Sequence, residues 1–172
     1  TSPVWEGPYA VKANNTGANN NNLKSNYGLS NVNMSIDFMF YDDGFTSTSR
    51  NIWGGFADTS NGLNVVGVFN GGYGYYSYNY NGTTGSMGVS RSVGWHFGSV
   101  KRFGNTLIFT VDNSTLSFTY TNTFSYITFY SIQGNGYWDV IRVRKYVSPE
   151  PAFSSAGPLE KRSSIVPMFF IR

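Results

Sequence analysis

A chain of 172 residues with 20 Gly, no Cys and a formal charge of +3 has room for one cored domain without disulfides or thiolate-bound metal. Only 12% of the residues are charged and 18% are aromatic, against roughly 25% charged in an ordinary soluble domain. Asn, Ser, Thr, Gly and Tyr fill the difference, which suits strands and fits a helical bundle poorly.

No run approaches the roughly 18 consecutive apolar residues of a membrane-spanning helix. The cations are too scattered to form a phosphate-binding stripe, which argues against nucleic acid as a partner.

In chain order, a short strand around Pro8–Ala13 precedes the tract Asn14–Asn26, "NNTGANNNNLKSN". The tract is too polar and turn-prone for an element interior and reads as a surface loop. From Val32 to Tyr41 the chain alternates, with Val32, Met34, Ile36, Phe38 and Phe40 on one face and Asn33, Ser35 and Asp37 on the other. That is a half-buried strand of about ten residues, roughly 33 Å long.

Shorter candidates follow at "NIWGGFA", "LNVVGVFN", "YGYYSYNY", "GWHFGSVKR", "TLIFTVD", "STLSFTY", "FSYITFYSI" and "WDVIRVRKYV". The breaks between them are too short for parallel crossovers, so neighbours run antiparallel. No helix of ordinary length is visible. About eleven strands of this kind stack as two sheets.

The inner faces are expected to hold Phe38, Phe40, Val65, Phe69, Leu107, Phe109, Val111 and Phe118. The strands Val32–Tyr41 and Val140–Tyr146 are expected to be long and central, with arginine stems packed flat on the latter. This body spans residues 1–147. Residues 148–172 carry four of the six prolines and read as a linker followed by an apolar segment.

Thirty-two positions between Asp58 and Arg91, and 26 between Asp112 and Asp139, hold no charge. Within the first lie Tyr73, Tyr75, Tyr76, Tyr78 and Tyr80. Alternation sends the last three to one face and the first two to the other. An outward tyrosine row serves cross-strand packing, a sugar contact or a subunit contact. Few Lys or Glu residues interrupt these strands, where solitary domains guard their edges with charge. That favours adhesion or assembly.

Two stretches carry a family resemblance. "WHFGSVKRFGNTLIFTVDNSTLSF" and "NGYWDVIRVRKY" resemble strands of the laminin-G-like and concanavalin A-like jelly rolls, at Trp95, His96, Arg102, Gly104, Asn105, Asp112, Asp139 and Arg142. "RKYVSPEP" resembles the close of such modules in archaeal surface proteins. The resemblance covers about residues 30–147 and implies an all-β, two-sheet antiparallel jelly-roll sandwich. It also implies lectin, glycosidase, adhesion or spacer roles, and a calcium site drawn from Asp42, Asp43, Asp58 or Asp112. Asp112 itself serves a turn, a calcium ion or a sugar; His96 reads as a structural imidazole.

Catalysis finds little support. Glycosidases need two paired carboxylates, yet Glu6, Glu150 and Glu160 all lie outside the strands, and no G-x-S-x-G elbow exists. The expectation is a non-catalytic module with no required cofactor, binding extracellular glycans through Trp53, Tyr76, Tyr78, Tyr80 and Asp112. The alternative is a structural subunit of a filament or surface layer. It would be assembled with copies of itself through Ile165, Val166, Met168, Phe169, Phe170 and Ile171. An N-terminus that lacks Met reads as a processed mature chain or an excised piece, and with sequons at Asn14, Asn33, Asn81 and Asn113 it favours an exported surface protein.

Overall fold

Strand β3 (Met34–Asp42) shows how alternation is used: Ile36, Phe38 and Phe40 are buried, while Asp37, Met39 and Tyr41 face outward. It is one of twelve strands in a computed structural model that describes residues 10–13, 21–25, 33–58 and 62–147. One sheet orders β1 (Val11–Ala13), β12 (Gly136–Lys145), β3, β8 (Gly94–Phe103), β9 (Thr106–Val111) and β10 (Ser114–Thr119). The other orders β2 (Asn21–Lys24), β11 (Phe124–Ile132), β4 (Asn51–Asp58), β5 (Leu63–Val68), β6 (Tyr75–Tyr80) and β7 (Thr83–Ser90).

Every pairing is antiparallel. The two sheets stack as a jelly-roll sandwich of concanavalin A-like topology, and no helix occurs among the described residues.

Four details differ from the sequence reading. Asn21–Lys24, inside the asparagine tract, forms edge strand β2 against Thr128–Ser131. An edge strand needs only backbone partners, so polarity does not exclude it. The segment Thr83–Ser90 forms β7, with Met87 alone fully buried.

In β5 the inner cluster takes Val66 and Val68; Val65 is buried as expected but, like Phe69, on the opposite face. The reason is the phase of the alternation, set by pairing with β4 rather than by apolarity. Strand β12 is central only at its start, because β1 pairs with Gly136–Trp138 alone. Arg142–Lys145 are exposed rather than packed flat. Val32 and residues 148–172 lie outside the described residues.

The core is aromatic. Phe38 meets Phe129 edge-on across the sheets at 5.2 Å, Phe40 meets Tyr76 at 5.5 Å, and Phe129 meets Trp138 at 5.6 Å. Leu107, Phe109 and Val111 are buried as expected, and Phe118 packs against them.

The Phe38 ring lies over Gly98 of its own sheet and against Gly54 of the other. A Cβ on either glycine would stand 2.6 Å or 2.8 Å from that ring. Neither position accepts a side chain unless the packed rings shift.

The two ends of the sandwich are closed by polar clusters. At one, Arg91 grips the fully buried Asp42 with Nε–Oδ2 2.8 Å and Nη2–Oδ1 2.7 Å. The Tyr76 hydroxyl sits beside them, 3.2 Å from Asp42 Oδ2 and 3.0 Å from the Ser92 carbonyl. At the other, Asn64 donates to the Tyr120 hydroxyl at 3.0 Å, Asp58 lies 3.4 Å from it, and the Arg102 guanidinium covers the ring at 5.3 Å. Burial first, and the Asp58 charge second, push the Tyr120 phenol up to about 12.

Gly98→Ala is expected to lower stability by about 1–3 kcal/mol through overpacking. A Phe38→Leu change in the same chain should recover part of that loss. Urea unfolding midpoints measure both, and an unchanged midpoint in the single variant would show that the ring has room to shift.

The raised Tyr120 phenol has a pH consequence. Above pH 10, the phenol's ordinary value, the unfolded chain ionises while the folded one keeps its proton. The contribution is therefore complete below pH 10 and drains away as pH rises toward about 12. Tyr120→Phe should lose less stability over that window, read by unfolding midpoints beside phenolate absorbance. Parallel losses in the two proteins would contradict it.

Candidate functional site

On the outer face of the second sheet the even residues of β11 stand next to Trp53 of β4. Trp53 pairs directly with Tyr130 on one side and with Gly67 on the other. Gly67 has φ +145°, and a Cβ there would come 2.3 Å from the Ile52 carbonyl oxygen. The side-chain position opposite the indole is thus empty, and Phe69, just beyond the end of β5, fills it.

The outcome is three parallel rings, Phe69–Trp53–Tyr130. Centroids are 4.8 Å and 4.7 Å apart and planes within 15° and 16° of parallel. Leu63, Tyr126, Ile132 and Lys24 complete a groove of about 320 Å³. The Lys24 ammonium rides 4.5 Å above the Tyr126 ring.

The groove is aromatic and nearly uncharged. Its one charged lining residue is Lys24. The Trp53 Nε1 is buried and makes no hydrogen bond, and the Tyr130 hydroxyl has no partner among the described residues. Burial raises the Tyr130 pKa, so the phenol keeps its proton and can donate. Trp53 is only 4% exposed, covered by Phe69 and Tyr130. The surface offered to a ligand is therefore that of the flanking aromatic residues with the Tyr130 hydroxyl as handle, a chemistry suited to a sugar ring.

Of the residues singled out by sequence, Trp53 alone lies here. Tyr76, Tyr78 and Tyr80 do share a face, but it is the inner one: Tyr76 is fully buried, Tyr78 packs on Phe109 and Phe118, and Tyr80 stacks on Phe118 at 4.9 Å. They bridge the two sheets and are unavailable as an outward row. The outward pair is Tyr73 and Tyr75, stacked at 5.2 Å and 40% and 36% exposed.

Asp112 sits in the β9–β10 turn at φ 48°. Its carboxylate accepts from the Phe97 N–H at 2.9 Å and lies 2.8 Å from His96 Nδ1. That is a turn-fixing role on the other sheet, far from the groove in topology.

The four carboxylates considered for calcium do not converge. Asp42 is held by Arg91, Asp43 by Arg50 at 2.9 Å, Asp58 takes the Gly62 N–H, and Asp112 faces His96. Among the described residues no three acidic or imidazole side chains gather as a metal site.

Sequence reasoning missed Phe69, which it placed inward, and Tyr126 and Tyr130. The alternation of "FSYITFYSI" puts both tyrosines on one face, but nothing local says which face is outside.

No protein-family model matches this chain, and no curated protein matches it. Solved structures do share its fold. A carbohydrate-binding module, CBM66, from Bacillus subtilis superposes with TM-score 0.54 at 6% identity, covering 78% of this chain and 91% of that one. A glycosyl hydrolase family protein from Mycobacterium fortuitum gives TM-score 0.46 at 13% identity, over 72% of this chain and 68% of that one. A β-1,3-glucanase from Mycobacterium marinum gives 0.44 at 12% identity, over 72% and 67%. The likeness is one of fold.

Proposed function

We propose that this chain is a non-catalytic carbohydrate-binding module of an extracellular surface protein, holding a neutral glycan in the Trp53–Tyr130 groove. The observation that carries the reading is the open groove built on three parallel rings with an unpartnered phenol at its end. The jelly-roll fold shared with a carbohydrate-binding module adds support. A binding role without catalysis is supported by the lining itself, which supplies no carboxylate, whereas glycoside hydrolysis in this fold works through a carboxylate pair.

An extracellular location is supported by the sequons at Asn81 and Asn113, both exposed in turns. Asn33 is half-buried, its amide oxygen accepting the Gly104 N–H at 2.9 Å, and Asn14 lies outside the described residues.

Calorimetry against a panel of neutral polysaccharides tests the reading. Tyr130→Ala is expected to weaken binding roughly tenfold, about 1.4 kcal/mol, and Tyr130→Phe by less, since the ring remains. Flat isotherms for the native chain across the panel, or unaltered affinity in Tyr130→Ala with its fold intact, would remove the groove as the site.

A structural subunit of an extracellular filament or surface layer is the second reading, and one observation favours it. Val11, Leu23 and Val143 belong to inward-facing positions at the β1–β2 side, yet are 42%, 40% and 45% exposed. An apolar strand donated by a neighbouring copy would cover that rim. The segment offering it is Ile165, Val166, Met168, Phe169, Phe170 and Ile171, which lies outside the described residues. Light scattering on the full chain and on a deletion of residues 163–172 decides the matter. Polymers that the deletion dissolves support donation, and a monomer in both cases defeats it.

A further inference from the structure

A second concavity, on the outer face of the first sheet, has a different chemistry. Three rows cross β12, β3 and β8. Arg144, Ser35 and Lys101 form one; Arg142, Asp37 and Ser99 form the next; Met39 and Phe97 form the third beside Val140. All of these but Ser35 and Ser99 line a groove of about 360 Å³. Ser35 and Ser99 are fully buried and turn their hydroxyls to Asp37.

The charges in it are unequal. Asp37 is already committed: Oδ1 accepts from Ser35 Oγ at 3.0 Å and Ser99 Oγ at 2.6 Å, and Oδ2 from Arg144 Nε at 3.0 Å. Asp139, beside the groove, turns its Oδ1 onto the Val140 N–H at 2.7 Å. Arg142 is exposed and makes no hydrogen bond or ion pair among the described residues. Lys101 faces the same space, its ammonium 5.5 Å from the Tyr146 ring.

Arg142 is placed there by a bulge. The register shifts by one between Asp139 and Arg142, and Val140 takes φ 50°, a conformation that β-branched residues avoid. Continued without the shift, the register that pairs Trp138 with Phe40 and Asp139 with Met39 would set Ile141 opposite Asp37. Arg142 would then face the core. With the shift, Ile141 packs inward and the guanidinium stands over the groove.

We infer that this groove is a second binding site, which takes a uronic acid residue of an acidic polysaccharide, its carboxylate on Arg142 and its ring against Phe97 and Met39. A guanidinium fork matches a planar carboxylate in two parallel hydrogen bonds. The apolar row alongside matches the C–H face of the same residue. The site lies on the other sheet from the Trp53 groove and does not depend on it.

The test measures binding of the full chain to oligomers of galacturonate, glucuronate and mannuronate, to their methyl esters, and to dextran sulfate. At least one free-acid oligomer should bind tenfold or more tightly than its ester. Arg142→Gln should abolish that preference, Arg142→Lys should retain part of it, and Tyr130→Ala should leave it unchanged. Equal binding of acid and ester throughout the panel, or a preference that survives in Arg142→Gln, would overturn the site. Dextran sulfate bound as tightly as the best uronate would overturn the carboxylate assignment. A flat neutral panel with intact uronate binding would sink only the Trp53 groove.

Discussion

The distance between the two sheets is set at one ring. Phe38 projects from the middle of the first sheet into a space that exists because Gly98 and Gly54 have no side chains. With the ring seated, Phe129 meets it edge-on, Trp138 meets Phe129, and Phe40 meets Tyr76. Close packing of this kind transmits any change of volume. Widening the gap by a methyl group would loosen contacts along the whole sandwich, including those on which the outer grooves rest.

A core filled with rings also explains how so few charges suffice. Charged side chains are concentrated at the ends and on outward faces, where they hold geometry. Arg91 and Asp42 join the β3 end to the segment after β7 and tie both to Tyr76. Breaking one partner of so buried a pair would leave an uncompensated charge, a loss of about 3–5 kcal/mol in comparable sites. At the far end Arg102 spends its donors on the Gly104 and Asn122 carbonyls and its face on Tyr120 and Phe124. Burial lowers its pKa.

Because the interior absorbs three of the clustered tyrosines, the outer faces are left to different residues. One presents parallel rings and almost no charge; the other presents arginines beside a short apolar row. Both depend on backbone departures from a regular strand, Gly67 at φ +145° and Val140 at φ 50°. Each departure re-aims or removes a single side chain.

The sequence by itself determined the class of fold, because alternation with period two and short polar breaks leave antiparallel sheets as the only economical arrangement. Ile36, Phe38, Phe40, Leu107, Phe109 and Val111 were legible as core because strongly apolar residues alternate there with polar ones. Where both faces of a strand are apolar or aromatic, as in "LNVVGVFN" and "YGYYSYNY", alternation sorts the residues into two sets without saying which is inside. Only the stacking of the sheets decided that Tyr76, Tyr78 and Tyr80 face in, and that Phe69 joins Trp53 outside. Nor can a local pattern announce a one-residue slip such as the one at Val140. The slip is settled by what the neighbouring strand requires on each face, and that neighbour lies a hundred residues earlier in the chain.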